Sequence, residues 1–307
     1  MGIPIVVPAS LSNLGPGFDV LGMAVSLFNR FDVSAQGPVG TASVTGAMVD
    51  PDDHLLIRTM HAAERAFGTK LTHGVSINQT DRVPWNRGLG SSATAHVAGY
   101  VAWAHFSGKR PPIDEALDFL TEQEGHPDNV VAAMLGGLTA GTRTPSGFRT
   151  FRLDAPPALR VALCIPAIEV RTEEARKVLP SSYSRTDAVF STNRLAFLVH
   201  GLVTGDAASL RVGQEDRLHT PYRKPLIGPV DEAIAGACAA GAASAFISGS
   251  GSTMAAFVMD PLVDAPRVAE ALAQPFRQAG TPVETRVVTP SAVGAWWLYL
   301  ANAVGYA

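Results

Sequence analysis

Eleven consecutive residues have the types needed to hold a phosphate: Pro84, Trp85, Asn86, Arg87, Gly88, Leu89, Gly90, Ser91, Ser92, Ala93 and Thr94. Gly88 and Gly90 let the backbone approach a ligand closely and turn where a side chain would clash. Ser91 and Ser92 stand where a mostly apolar run, Ala93 to Phe106, starts in the manner of a helix. The unpaired N–H groups of such a first turn attract anions. An ordinary loop with a serine N-cap needs less than this. The full Gly-Leu-Gly-Ser-Ser-Ala run after Pro84 points to a phosphate cradle. It is not the common P-loop, because no lysine follows the glycines. It is not a dinucleotide fingerprint, because no Gly-x-Gly-x-x-Gly opens the helix.

Five further stretches hold chemistry-bearing groups. Glu122 and Glu124 begin the phrase Glu-Gln-Glu-Gly-His-Pro-Asp-Asn, residues 122–129. They could be solvated charges at a helix end. Near a triphosphate a carboxylate has a second use, because Mg2+ prefers hard oxygen ligands and bridges them to phosphate. Asn13 and Asp19 lie in a run of small and turn-forming residues from Pro8 to Gly22, which fits a binding loop as well as plain Asx-turns. Arg176 sits in Thr172–Pro180 and Arg223 follows His219-Thr220-Pro221-Tyr222; a guanidinium fork matches a carboxylate, and arginines on helices are also common surface charge. Finally, Phe246-Ile247-Ser248-Gly249-Ser250-Gly251-Ser252-Thr253 reads as a strand and a glycine-rich turn, with or without a ligand.

The elements that must position these groups are mixed. Strands are expected at Ile5–Val7, around Phe31–Val33 and Ser43–Thr45 as hairpins, at Val75–Ile77, and near Thr139–Gly141 and Phe148–Leu153. Helical spacing marks His54–Phe67, Ile113–Gln123, Asp187–Gly205, Ile227–Ala240 and Ala265–Ala279, with a short helix at Thr172. Strands close the second half at Val161–Pro166 and Val283–Val288, and Pro156-Pro157 suggests a boundary between domains 1–155 and 156–307.

Composition narrows the function classes. The 307 residues are 47% hydrophobic and 17% charged, enough for a substantial core and against long disorder. The net charge of −3, with no Lys/Arg block, argues against nucleic acid as a partner. Cys164 and Cys238 both sit in apolar surroundings and read as buried thiols of a reducing, cytoplasmic compartment. The first residues show no secretory signal, and Gly2 lacks the Ser/Thr at position 6 that myristoylation wants. The apolar end, Ala295 to Ala307, is too short to span a bilayer and is expected to pack on the body or on a partner subunit.

The cradle resembles that of the GHMP kinases, and the phrases at Pro8–Gly22, Glu124–Asn129, Thr172–Pro180 and His219–Arg223 are similar to homoserine kinases. All three superfamily motifs occur in order, and the similar phrases cover most of the chain. The resemblance implies an α+β fold: a nucleotide-binding domain with a left-handed βαβ crossover, then a ferredoxin-like C-terminal domain. It implies that ATP lies on residues 84–94 with Gly249 and Gly251. Mg2+ would be held by Ser92 and Glu124, with Glu122 the fallback. It implies L-homoserine held by Asn13, Asp19, His126, Asn129, Thr172, Arg176 and Arg223. Asp19 suits the ammonium, Arg176 and Arg223 suit the carboxylate, and the catalytic assignments are Asn129, Arg176 and Arg223. A homodimer is also implied.

Three departures stand out. His54 holds the place of an Asn that reads adenine in the family; its imidazole could keep the contact or face solvent. Ser252 replaces a usual Pro, a change expected to loosen that turn. Asn129 stands where galactokinase and mevalonate kinase place an Asp, so no general base is evident. The chemistry then rests on alignment, Mg2+ and the cradle, with the proton passing to the transferring phosphate. A different GHMP small-molecule kinase and a non-catalytic nucleotide-binding protein are the competing readings.

Overall fold

A computed structural model describes residues 2–46, 50–296 and 299. Its spine is an antiparallel hairpin of β1 (Gly2–Asn13) and β2 (Gly17–Ala35). In β1 the odd positions Ile5, Val7, Ala9 and Leu11 are buried, and from Val7 onward the even positions Pro8, Ser10 and Ser12 are buried too, so the strand is enclosed on both faces as it nears the cleft. A register shift between Pro8 and Ala9 falls where the hairpin passes from one core cluster to the next. β1 occupies one edge of β2. The other edge is shared by β5 (Leu138–Thr144), which pairs with Leu21–Met23, and β4 (Val75–Thr80), which pairs with Arg30–Ala35. β3 (Ala42–Thr45) then adds to β4, and β6 (Gly147–Leu153) to β5. β3 was expected in a hairpin. It instead runs parallel to β4, with α1 (Leu55–Phe67) as the crossover, because a parallel pair cannot be joined by a tight turn.

Against this sheet pack α1, α2 (Ser91–Ser107), α3 (Ile113–Glu124) and α4 (Pro127–Leu135). Every residue of α2 from Ala93 to Ala104 is buried, so it is a core helix, and only its N-terminal end is open to a ligand. No periodic pattern in the sequence marks α4 as a helix. Its first residue is a proline, which suits a helix start, and its run of buried residues lacks a polar face to mark the period.

The second half contains a four-stranded antiparallel sheet in the order β10 (Val283–Val288), β7 (Arg160–Pro166), β9 (Met254–Val258), β8 (Ser244–Ile247). Numbered within the sheet this is 4-1-3-2, the ferredoxin-like order. Between β7 and β8 run α5 (Thr172–Lys177), α6 (Arg185–Thr204), α7 (Ala207–Val212), α8 (Thr220–Ile227) and α9 (Val230–Ala239). α10 (Ala265–Gln278) links β9 to β10, with Val268, Ala269, Leu272, Ala273 and Phe276 on its buried face. After β10 the chain returns to the first half: Ser291 N–H donates to Ala24 O at 2.8 Å, and Ala295 and Tyr299 join the first core. Of the apolar end, then, Ala295, Trp296 and Tyr299 pack on the body; the rest lies outside the described residues. Among the described residues no helix is long and apolar enough to cross a membrane.

Candidate active site

One cleft collects residues from both halves: the β1–β2 turn, the cradle, the α3–α4 junction, α5, α8 and the β8–β9 turn. The cradle is built by close backbone approach. Gly90 has φ +68, and a Cβ there would stand 2.2 Å from Ser10 Oγ and 3.0 Å from Asn129 Oδ1. Gly88 has φ +71 and would meet Ser248 O at 2.1 Å. Only glycine fits either position. No side chain caps α2, whose N-cap is Gly90, so the amides of its first turn keep their donors for an anion. Arg87 is the one cation of the loop, and its Nη1 is buried with no partner among the described residues.

Beside the cradle, Ser92 Oγ donates to Glu124 Oε1 at 2.7 Å. Burial raises the Glu124 pKa, and the nearby His126 charge offsets part of that rise. A buried carboxylate paired with a hydroxyl at a phosphate-binding end has the chemistry of a divalent-cation seat, so the residues fit Mg2+. Glu122, the fallback, is corrected. Its side chain is exposed and pairs with Arg143 at 3.5 Å on the outer surface, because two residues along a helix point away from one another. On the far side of Glu124 stands His96, Nε2 3.5 Å from Oε2, its pKa lowered to about 4 by burial.

The other end of the cleft holds charges of both signs. Arg176 donates from Nη1 and Nη2 to the two oxygens of Asp19 at 3.0 and 2.9 Å, a bidentate fork. Arg223 is buried, donates from Nη1 to Gly249 O at 2.8 Å, and has its pKa lowered to about 10 by burial. Asp128 accepts from His126 Nδ1 at 2.5 Å and from the Asn129 amide at 2.7 Å. Burial pulls the His126 pKa down, but the Asp128 hydrogen bond and the Asp128 and Glu124 charges outweigh it and leave it raised. Asn129 is fixed by Ser10, which donates to Oδ1 at 2.8 Å, and by its own donation to Ser12 Oγ at 3.1 Å. Asn13 and Asp19 adopt φ +67 and +55, a left-handed backbone that Asn and Asp tolerate and that clusters at functional sites.

Of the residues singled out in the sequence, Asn13, Asp19, Trp85 to Ser92, Thr94, Glu124, His126, Asn129, Thr172, Arg176, Arg223 and Gly249 all line this cleft. Four do not. Pro84 borders a separate shallow depression, Ala93 is in the core, Glu122 is outside, and Gly251 packs its φ +87 backbone on Ile227. Asn13 is largely committed: its Nδ2 donates to Gly249 O at 3.0 Å and its Oδ1 accepts from Asp19 N at 3.1 Å, so it latches two cleft loops together. Ser252 does not loosen its turn; its Oγ donates to Ile168 O at 2.6 Å, with Pro166 O at 3.3 Å. His54 faces neither the cleft nor solvent. It is buried against Gln79, which does line the cleft. Ser10, Ser12 and Gln79 were missed. The two serines sit inside the Pro8–Gly22 phrase and could have been found there; Gln79 carries no motif.

A helix-end phosphate cradle joined to a ferredoxin-like half, with a buried carboxylate between them, defines a small-molecule kinase of the GHMP type. Family models agree: the GHMP kinases N terminal domain matches residues 54–137 and the GHMP kinases C terminal matches residues 198–278. The chain is 34% identical over 297 residues to a homoserine kinase of Trichormus variabilis, covering 95% of this chain and 98% of that one. It is 37% identical over 254 residues to one of Aquifex aeolicus, covering 82% and 85%. A solved homoserine kinase from Cytophaga hutchinsonii superposes with a TM-score of 0.85 at 27% identity, over 95% of this chain and 96% of that chain. This chain belongs to the homoserine kinase family of GHMP kinases. A mevalonate kinase structure, at TM-score 0.66 and 13% identity, shares the fold.

Proposed function

We propose that the chain transfers the γ-phosphoryl group of ATP to the side-chain hydroxyl of L-homoserine, giving O-phospho-L-homoserine on the route to threonine. One observation carries this. The Ser92–Glu124 pair at the cradle and the Asp19, Arg176 and Arg223 charges line the same cleft. A phosphate donor and an amino-acid zwitterion therefore have adjoining seats.

The α2 amides and Arg87 take the phosphates. Ser92 and Glu124 would hold Mg2+, which when bound neutralises charge on the phosphoryl oxygens. Asp19 and Arg176 already form an ion pair, half open to solvent. A zwitterion replaces that pair with two new ones, its ammonium on Asp19 and its carboxylate on Arg176 and Arg223. The exchange gives up one charge pair and forms two, so it is selective for a substrate bearing both groups. Asn129, held by Ser10 and Ser12, orients the acceptor hydroxyl. The hydroxyl oxygen bonds to the γ-phosphorus as the bond to the β-phosphate oxygen breaks. ADP leaves, and the hydroxyl proton passes to the transferred phosphate. An amide at Asn129 cannot take that proton, and positioning with electrostatics supplies the rate.

We assign residues 1–155 to a nucleotide-binding domain and 156–307 to a C-terminal domain, with the end of the chain returning to the first. Membership of a biosynthetic enzyme family supports a cytoplasmic homodimer; sedimentation tests the dimer.

The test is phosphorylation with Mg-ATP against L-homoserine, L-serine, L-threonine, mevalonate and galactose, read as ADP release and product mass. Turnover of homoserine well above the others is expected. Preferred turnover of another alcohol overturns the acceptor, and nucleotide binding without any turnover overturns the enzyme.

A further inference from the structure

β4 places Val75, Ile77 and Gln79 on its inward face, so a polar amide stands where the strand pattern asks for an apolar residue. Gln79 is 5% exposed and lines the cleft, together with Phe31, Leu55 and Trp85. Its orientation can be deduced. Asp81 is an acceptor only, and its Oδ1 lies 2.6 Å from Gln79 Nε2. The amide nitrogen must therefore face Asp81, and the carbonyl Oε1 must face His54 Nε2 at 2.7 Å. That ring nitrogen then carries the proton, which fixes the neutral tautomer and leaves His54 Nδ1 buried without a partner among the described residues. The second oxygen of Asp81 accepts from Trp85 Nε1 at 2.9 Å, so one carboxylate sets both the amide and the indole.

Locked this way, Gln79 retains one N–H and one carbonyl lone pair in a fixed order. We propose that Gln79, locked by Asp81, reads the nucleobase and makes the site select adenine over guanine, with Trp85 as a wall for the ring face. This rests on the cleft being the ATP site. Adenine offers an amino donor to Oε1 and a ring-nitrogen acceptor to Nε2. Guanine in the same seat presents O6 to the carbonyl and N1–H to the amide, like against like at both points. An amide free to rotate would pair with either base, so the lock and not the glutamine alone gives the choice. His54 can follow such a rotation, because its Nδ1 is free to take the proton.

The experiment is equilibrium binding of ATP, GTP and ITP by calorimetry to the wild-type chain, Gln79→Ala and Asp81→Asn. A bidentate amide contact predicts that the wild type binds ATP ~10–100-fold tighter than GTP or ITP. Gln79→Ala should bring that ratio to within about threefold of unity by weakening ATP. Asp81→Asn sits on an exposed residue and offers the amide either orientation; it should narrow the ratio at least about fivefold by strengthening GTP and ITP. A wild-type ratio near unity, or a ratio unmoved by both substitutions, overturns the proposal. Binding needs no acceptor, so the two readings fail separately. Base selection without homoserine turnover sinks the acceptor assignment alone, and homoserine turnover that proceeds equally with GTP sinks this proposal alone.

Discussion

Asp128→Asn separates a mechanism driven by alignment from one with a proton-abstracting base. Asp128 adjoins Asn129 in the chain, is 1% exposed and lines the cleft, so it is a carboxylate placed to serve as base. The geometry gives it other work. Its Oδ1 accepts from His126 Nδ1 at 2.5 Å, from Asn129 N at 2.7 Å and from Asn129 Nδ2 at 3.4 Å. An asparagine oxygen still accepts from the Asn129 amide. What is lost is the charged character of the bond to His126. A hydrogen bond to a charged group contributes about 1.5–3 kcal/mol against about 1 for a neutral one. The difference, about 0.5–2 kcal/mol, is roughly a 2–30-fold fall in kcat if all of it is felt in the transition state. A positioned general base contributes ~10²–10⁴-fold, and its loss also removes the acidic limb of the pH–rate profile. The assay is coupled ADP release at saturating Mg-ATP and homoserine across pH, with a thermal melt as a control for folding. A fall beyond about 10³-fold with an unchanged melt, together with loss of the acidic limb, would refute the base-free account.

Three other outcomes follow from the geometry. Asp19→Asn removes the negative partner of Arg176 and of the substrate ammonium, so KM for homoserine should rise ~10–100-fold while KM for ATP stays within about twofold; equal changes in both would place Asp19 outside the acceptor seat. Gly90→Ala forces a Cβ onto Ser10 Oγ, 2.2 Å away, in a left-handed backbone, at a combined cost of about 2–3 kcal/mol, and shifts Asn129. A lower melting temperature and a lower kcat are expected together, and an unchanged melt would show that the cradle has room. His96 is held neutral down to about pH 4, whereas the unfolded chain takes that proton near 6.5. The unfolded state then binds more protons in this window, so stability falls as pH drops from 6.5 towards 4, by about 3 kcal/mol at most. Glu124, raised by burial, opposes this in any variant that keeps it. His96→Gln should flatten the loss in melts across pH 4–7, and an identical slope would show that His96 does not titrate as placed.

The glycine-rich loop, the Ser92–Glu124 pair proposed for Mg2+ and the charges proposed for the acceptor could be picked out in the sequence because each stands in a local phrase with a family resemblance. Gly88, Gly90, Ser91 and Ser92 are needed together by one turn and one helix start, and Ser92 and Glu124 meet at 2.7 Å as the phrases implied. Helix α10 was legible because its buried face recurs at helical spacing, β7 because it is a short apolar run, and β10 because it is rich in β-branched residues. What needed the third dimension was every pairing between distant segments. The sequence could not show that β3 lies parallel to β4, because register and direction are set by contacts across the sheet. The family phrase favours Glu124 and keeps Glu122 as a fallback; only the side of α3 that faces the cleft removes Glu122. Asp19 and Arg176 were read as separate ligands for substrate, 157 positions apart, and only folding closes them into an ion pair with each other. His54, Gln79, Asp81 and Trp85 form no motif. Hydrogen-bond direction around a buried amide is a property of what surrounds it in space, and no one-dimensional pattern encodes it.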